Sequence, residues 1–134
     1  MPIDYALEPD LSSAEFRAVL IASTLGERRP VDDAERLEAM LRNADLVLTA
    51  RDGARLVGVS RAITDFVYCC YLSDLAVDLA YQRQGIGRRL VAETRKAAGE
   101  GATLVLSAAP AAAAYYPAIG MVRLQGAWSI PRER

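Results

Sequence analysis

The stretch Gln82-Arg83-Gln84-Gly85-Ile86-Gly87-Arg88-Arg89-Leu90 constrains this chain more than any other. It joins an apolar run of strand character, Tyr71 to Val77, to a run whose apolar residues recur at helical spacing. Two glycines one residue apart let the main chain come close to a ligand, because neither carries a Cβ. A helix opening there presents unpaired N–H groups and about half a positive charge, which suits an anion. Arg83, Arg88 and Arg89 add donors around the same turn. The pattern predicts a pocket for a diphosphate; the plainer alternative is a tight strand-to-helix turn with no ligand. Two other phosphate motifs do not fit. Leu90 stands where a dinucleotide fingerprint needs its third glycine, and no Gly-Lys-Ser/Thr ends the loop as in a P-loop.

At 134 residues the chain is long enough for one domain with a real core, residues 1–134. A formal net charge of −1 gives no global field for nucleic acid or an anionic membrane, so neither is expected as a partner. No apolar run approaches a membrane span, and Met1-Pro2-Ile3-Asp4 lacks the basic and apolar regions of a signal peptide, so a cytoplasmic location is expected. The chain has no histidine, which removes His-dependent triads and most zinc sites; no metal is expected. Cys69 and Cys70 are adjacent in a strand-like run, so they point to opposite faces and read as reduced packing residues.

Ile3 to Glu8 alternates as a first strand. Ser12-Ser13-Ala14-Glu15 offers a capping box, and the following helix lines up Phe16, Val19, Leu20 and Ser23. After Pro30, Asp32 to Glu35 opens a second helix with the stripe Leu37, Met40, Leu41 and Ala44, Asp32 suiting its N-cap. The linker Glu27-Arg28-Arg29-Pro30 reads as a solvated loop. Leu46 to Ala50 and Leu56 to Ile63 are strands joined at Asp52-Gly53, a tight hairpin signal. Val67 to Val77 is a third strand of this meander, followed by the glycine turn and a helix from about Gly85 to Ala98, closed at Gly99 and Gly101. Thr103 to Ser107 reads as a buried parallel strand, Ala111 to Ile119 as a helix, and Met121 to Leu124 and Ala127 to Ile130 as two last strands turning at Gln125-Gly126. The order is β-α-α-β-β-β-α-β-α-β-β. The fold class is therefore α/β (α+β), a mixed, mostly antiparallel central sheet with helices on both faces.

This order, with Gln82-x-x-Gly85-x-Gly87, resembles the GNAT superfamily of acetyl-CoA-dependent N-acetyltransferases, whose Gln/Arg-x-x-Gly-x-Gly/Ala signature opens the helix after the fourth strand. Tyr115-Tyr116-Pro117-Ala118-Ile119-Gly120-Met121 is similar to the family's Phe-Tyr-x-x-Leu-Gly-Phe segment, at a suitable distance downstream. The resemblance covers nearly the whole chain. It departs at Ala109-Pro110-Ala111, where the family often has an asparagine contacting the pantetheine arm, at Met121, and in a short final hairpin that makes a low substrate wall.

The resemblance implies acetyl-CoA as co-substrate and an amine as acceptor. Main-chain groups of Leu75, Ala76 and Val77 would meet the pantetheine arm, with the N–H of Leu75 or Ala76 as donor to the thioester carbonyl. The diphosphate would sit on the N–H groups of Gln84, Gly85, Ile86, Gly87 and Arg88, with Gln82 and Arg83 at the rim. Tyr116 matches the tyrosine that faces the sulfur and protonates the departing thiolate; its neighbour Tyr115 is expected to be structural. Asp74, two residues before Ala76, is the best candidate base for the amine, acting through a water. Its alternatives are a hydrogen bond to a neighbouring turn or attraction of a cationic substrate. Ser73 and Tyr71 are weaker acceptor-site candidates, and Asp78 reads as a brace for the turn before Gln82. The acceptor would be chosen by residues 25–31 and by the Gln125-Gly126 turn. The competing reading is a non-catalytic acyl-CoA-binding sensor or partner module. Apolar strand edges and Trp128 are compatible with a homodimer, a core role for Trp128 being the alternative.

Overall fold

Five strands form one sheet in sequence order, β1 (Asp4–Leu7), β2 (Leu46–Asp52), β3 (Arg55–Thr64), β4 (Cys69–Val77) and β5 (Thr103–Val105). This computed structural model describes residues 2–134. The first four strands pair antiparallel, and β5 joins β4 in parallel after a helical crossover. Helices α1 (Ser13–Ala22) and α2 (Ala34–Arg42) cover one face; α3 (Ile86–Ala98) covers the other. A four-residue helix, α4 (Tyr115–Ala118), follows β5. Among the described residues, no helix is long and apolar enough to cross a membrane.

The two faces follow from strand periodicity apart from an extra residue in β3: Ala50 lies opposite Gly58 but Arg51 lies opposite Leu56, so Val57 and Val59 face opposite sides. Val47, Val59 and Ala76 pack on Phe16, Val19, Leu20, Leu37 and Leu41 beneath α1 and α2. Leu48, Ala50 and Val57 meet Ile86 and Leu90 of α3, and Leu46, Ala62, Cys70 and Leu72 meet Ala98. Phe16 and Leu90 are fully buried, each contributing about 1.5–3 kcal/mol by leaving water.

One residue breaks the alternation in β4. Arg61 lies opposite Asp74 but Ala62 lies opposite Leu72, so Ser73 is an extra residue without a partner on β3. Such a bulge moves every following side chain to the other face. Cys70 and Leu72 therefore lie on the α3 face, whereas Ala76 lies with α1 and α2. An unbroken strand would have put all of them on one side.

Several expectations need correction. Ser12 does accept from the Glu15 amide at 3.1 Å, but the Glu15 carboxylate turns to Arg51 at 2.8 Å instead of closing the box. Asp33, not Asp32, caps α2, because its side chain reaches the Arg36 amide at 3.1 Å; Asp32 faces Arg17 at 3.7 Å. The third strand of the meander starts at Cys69, since Asp65 Oδ1 gathers the amides of Val67, Tyr68 and Cys69 into a turn. The expected helix from Ala111 to Ile119 splits into a 3-10 turn, Pro110–Ala112, and α4. The two last strands do not form: residues 121–134 contain no strand, and Val122, Leu124, Trp128 and Ile130 are exposed. The sheet edge they would extend is only the three residues of β5, and a hairpin without a sheet is marginal in water. Trp128 is 95% exposed, so it has no core role in this chain.

Candidate active site

The crossover from β4 to β5 sets up the site. The parallel register holds Cys69 to Tyr71 against Thr103 to Val105, and β5 then ends while β4 runs six residues further, to Val77. Over Leu75, Ala76 and Val77 one edge of β4 pairs with Ser60, Val59 and Gly58 of β3; the other edge has no strand partner. The sheet therefore opens there into a gap with main-chain polar groups along one wall. Such groups are costly to leave buried and unpaired, which makes the gap a natural seat for an extended ligand with its own amides.

Beyond Val77 the chain turns sharply into α3. Asp78 braces that turn, accepting from the Ala80 amide at 2.9 Å and from Arg55 at 2.8 Å. The Gln82 side-chain amide donates to the Val77 carbonyl at 3.0 Å and ties the loop back to β4. Arg83 and Gly85 both take positive φ, +65° and +82°, and Gly85 is the N-cap of α3. The first amide to find a helical acceptor is Arg89, which donates to the Gly85 carbonyl at 3.0 Å. Among the described residues, no acceptor faces the amides of residues 83–88. Unpaired N–H groups gathered before a helix N-terminus make a concavity that fits a phosphate oxygen. Gly87 packs closely on the last helix: a Cβ there would stand 2.6 Å from the Tyr115 hydroxyl, which would have to shift.

Tyr115 and Tyr116 lie in different surroundings. Tyr115 lies against Gly87, and its ring meets that of Tyr116 edge-on, centroids 5.3 Å apart. Tyr116 lines a cleft of about 600 Å³ together with Leu75 of β4 and Leu106 and Ser107 beyond β5. Burial pushes its phenol above the ordinary value, Tyr115 adds to the rise, and Arg29 pulls the other way. Tyr71 and Ser73 line the same cleft.

Asp74 is fully buried, and both its oxygens are engaged. Oδ1 accepts from Arg29 and Oδ2 from Arg61. The same two guanidiniums grip the bulge: Arg29 donates to the Ser73 carbonyl at 2.8 Å and Arg61 to the Ser73 hydroxyl at 2.9 Å. Arg61 also reaches the Met40 carbonyl in α2 at 3.3 Å. The linker read as solvated thus supplies Arg29 to a buried ion triad joining β3, β4 and the segment after α1. A pairing signal existed in the sequence only as an arginine, Arg61, at a position the meander would bury.

The cleft continues from Tyr116 to the segment between α1 and α2. Arg28, Arg29, Arg36, Arg61, Arg132 and Arg134 line it, with Glu27 as the only carboxylate side chain on its wall among the described residues. Residues 82–88 do not line it. The amide concavity and the arginine cleft are therefore separate, and the gap beside β4 lies between them.

The model of the acetyltransferase (GNAT) domain matches residues 21–127, most of the chain. The chain belongs to the GNAT acetyltransferase family. Solved structures share the fold of this GNAT domain at low sequence identity. A probable acetyltransferase from meticillin-resistant Staphylococcus aureus is 22% identical with a TM-score of 0.77, covering 98% of this chain and 100% of the other. A GNAT-family acetyltransferase from Streptococcus pneumoniae is 24% identical at a TM-score of 0.74, with 98% and 100% covered. An aminoglycoside acetyltransferase from an uncultured soil metagenomic sample, in complex with sisomicin, is 21% identical at 0.69, with 98% and 94% covered. A comparison with curated proteins finds no match. GNAT proteins as a family use acetyl-CoA, and the chain offers what such a molecule needs: unpaired amides before α3, a glycine where a side chain would intrude, and an open strand edge.

Proposed function

We propose that this GNAT domain is an N-acetyltransferase that moves an acetyl group from acetyl-CoA to the primary amine of a small molecule or peptide. The observation that carries the reading is the parting of β4 from β5 with Tyr116 on the wall of the cleft beside it. The amides of residues 84–88 hold the diphosphate, with Gln82 and Arg83 at the rim, and Leu75, Ala76 and Val77 offer main-chain groups to the pantetheine arm. Bound acetyl-CoA supplies an activated acyl group. The N–H of Leu75 or Ala76 polarises the acyl oxygen as negative charge develops on it. Tyr116, kept neutral by burial, gives its proton to the departing sulfur.

In this reading Asp74 does not take the amine's proton, contrary to the role the sequence suggests for it. A carboxylate with both oxygens bound to guanidiniums and no exposed surface is a positioning residue. It holds Arg29 and Arg61 at the cleft and locks the bulge that aims β4. The amine instead loses its proton to water before attack, which surrounding positive charge favours.

The test is thiol release from acetyl-CoA, followed by absorbance, with and without a panel of amines. Release that depends on the amine, with a stoichiometric acetylated product, supports transfer. Tight coenzyme A binding with no acetylation across the panel would instead establish an acyl-CoA-binding module.

A further inference from the structure

The six arginines of the cleft give it a character that the whole-chain charge of −1 does not suggest. Arg29 and Arg61 share Asp74, and Arg36 donates to the main-chain oxygen of Arg134 at 2.9 Å, but no carboxylate side chain lies within ion-pair distance of Arg28, Arg36, Arg132 or Arg134 among the described residues. Facing them from the segment after α1 is Glu27; β4 and α4 bring the hydroxyls of Tyr71, Ser73 and Tyr116. Guanidiniums of this kind, with N–H groups left over and converging on one concave surface, bind oxyanions through paired N–H donors. A polycation would meet like charge at every arm.

We infer that the acceptor is a small amine that also carries an oxyanion, a carboxylate or a phosphate, bound by Arg28 and Arg36 with the C-terminal arginines closing over it. This rests on the transferase reading above and narrows its acceptor class. The same field does two things. It draws in the anionic end, and it disfavours the ammonium form of the amine near Tyr116, leaving the lone pair free to attack. Nitrogen then forms the amide bond to the acyl carbon as the carbon–sulfur bond breaks; the nitrogen's remaining extra proton passes to water, Tyr116 protonates the thiolate, and water returns a proton to the Tyr116 phenolate. The sisomicin-bound neighbour takes a polycationic aminoglycoside, so the fold alone does not set this preference; the cleft of this chain does.

Matched amines test it on the full chain: 4-aminobutyrate against 4-aminobutanamide, and 2-aminoethyl phosphate against 2-aminoethanol, with sisomicin as the polycation. The expected result is that each anionic member exceeds its uncharged partner by about tenfold or more in kcat/KM, mostly through KM, and that high salt erodes the difference. The stronger of the two anionic members tells carboxylate from phosphate. Arg28→Gln and Arg36→Gln should narrow the ratio and weaken calorimetric binding of 2-aminoethyl phosphate to the free protein, without changing coenzyme A affinity. Equal rates within each pair, or better turnover of sisomicin, overturn the inference while leaving acetyl transfer intact. So does a loss of coenzyme A affinity in Arg36→Gln with the ratio unchanged, which would assign the arginines to the cofactor. If no amine releases thiol, the transferase reading fails and calorimetry alone decides: 2-aminoethyl phosphate binding that Arg36→Gln abolishes supports the anion site, and no binding overturns it.

Discussion

At Tyr116 the proposed chemistry depends on a phenol that keeps its proton throughout the neutral range. Burial raises its pKa above the ordinary phenol value of about 10, so the donor form is lost only at strongly alkaline pH. Tyr116→Phe should therefore lower kcat by about a hundredfold while leaving coenzyme A affinity unchanged, and should remove the alkaline limb of the kcat profile. An unaltered kcat would end the acid role. Asp74 makes the opposite prediction. Removing one partner of a buried ion pair leaves the others uncompensated, so Asp74→Ala should cost about 3–5 kcal/mol of stability in denaturant titration. A variant with full stability and no activity would restore Asp74 as base. The sequence displayed both residues but not their difference in role. Tyr116 sits inside a recognisable segment, whereas the partners of Asp74, Arg29 and Arg61, lie 45 and 13 residues away, and nothing local links them to it.

The elements were legible wherever periodicity and turn chemistry agreed. The stripe of α3 and the glycine turn before it stand where the pattern places them, and the β2–β3 hairpin forms with its turn one residue later than expected, at Gly53-Ala54, because Asp52 still pairs with Arg55. The bulge at Ser73 was not legible, because a shift of face inside an apolar strand leaves the alternation of residue types almost unchanged. The turn into β4 carries its own prediction. Three backbone amides hold the Asp65 carboxyl down to about 2. A depressed carboxyl adds stability that is fully present above the unfolded value near 3.9 and disappears as pH falls through the folded one. Acid titration of stability should thus show a component lost between about pH 4 and pH 2 that Asp65→Ala lacks. At the start of α3, Gly87→Ala would press on the Tyr115 hydroxyl, at a cost of about 1 kcal/mol, and Tyr115→Phe in the same chain should recover most of it. Failure of that rescue in thermal melts would remove the packing explanation for Gly87.

Across the whole molecule, the proposed reading sets a cofactor end apart from an acceptor end along one opened sheet. The amide concavity before α3 lies at one side of the gap, the arginine cleft at the other, and Tyr116 lines the cleft between β4 and α4. Composition concealed the cleft, because 16 basic residues are balanced by 17 acidic ones in the chain while only their spatial segregation matters to a ligand. The missing final strands have a physical reason too: alternation alone cannot make a sheet when the free edge is three residues long. A backbone-amide NMR titration of the full chain with coenzyme A tests the proposed cofactor seat most directly. That seat requires saturable binding with the largest shifts at residues 83–88 and along Leu75 to Val77. Absence of binding, or shifts confined to the arginine cleft with the loop before α3 unmoved, would contradict it.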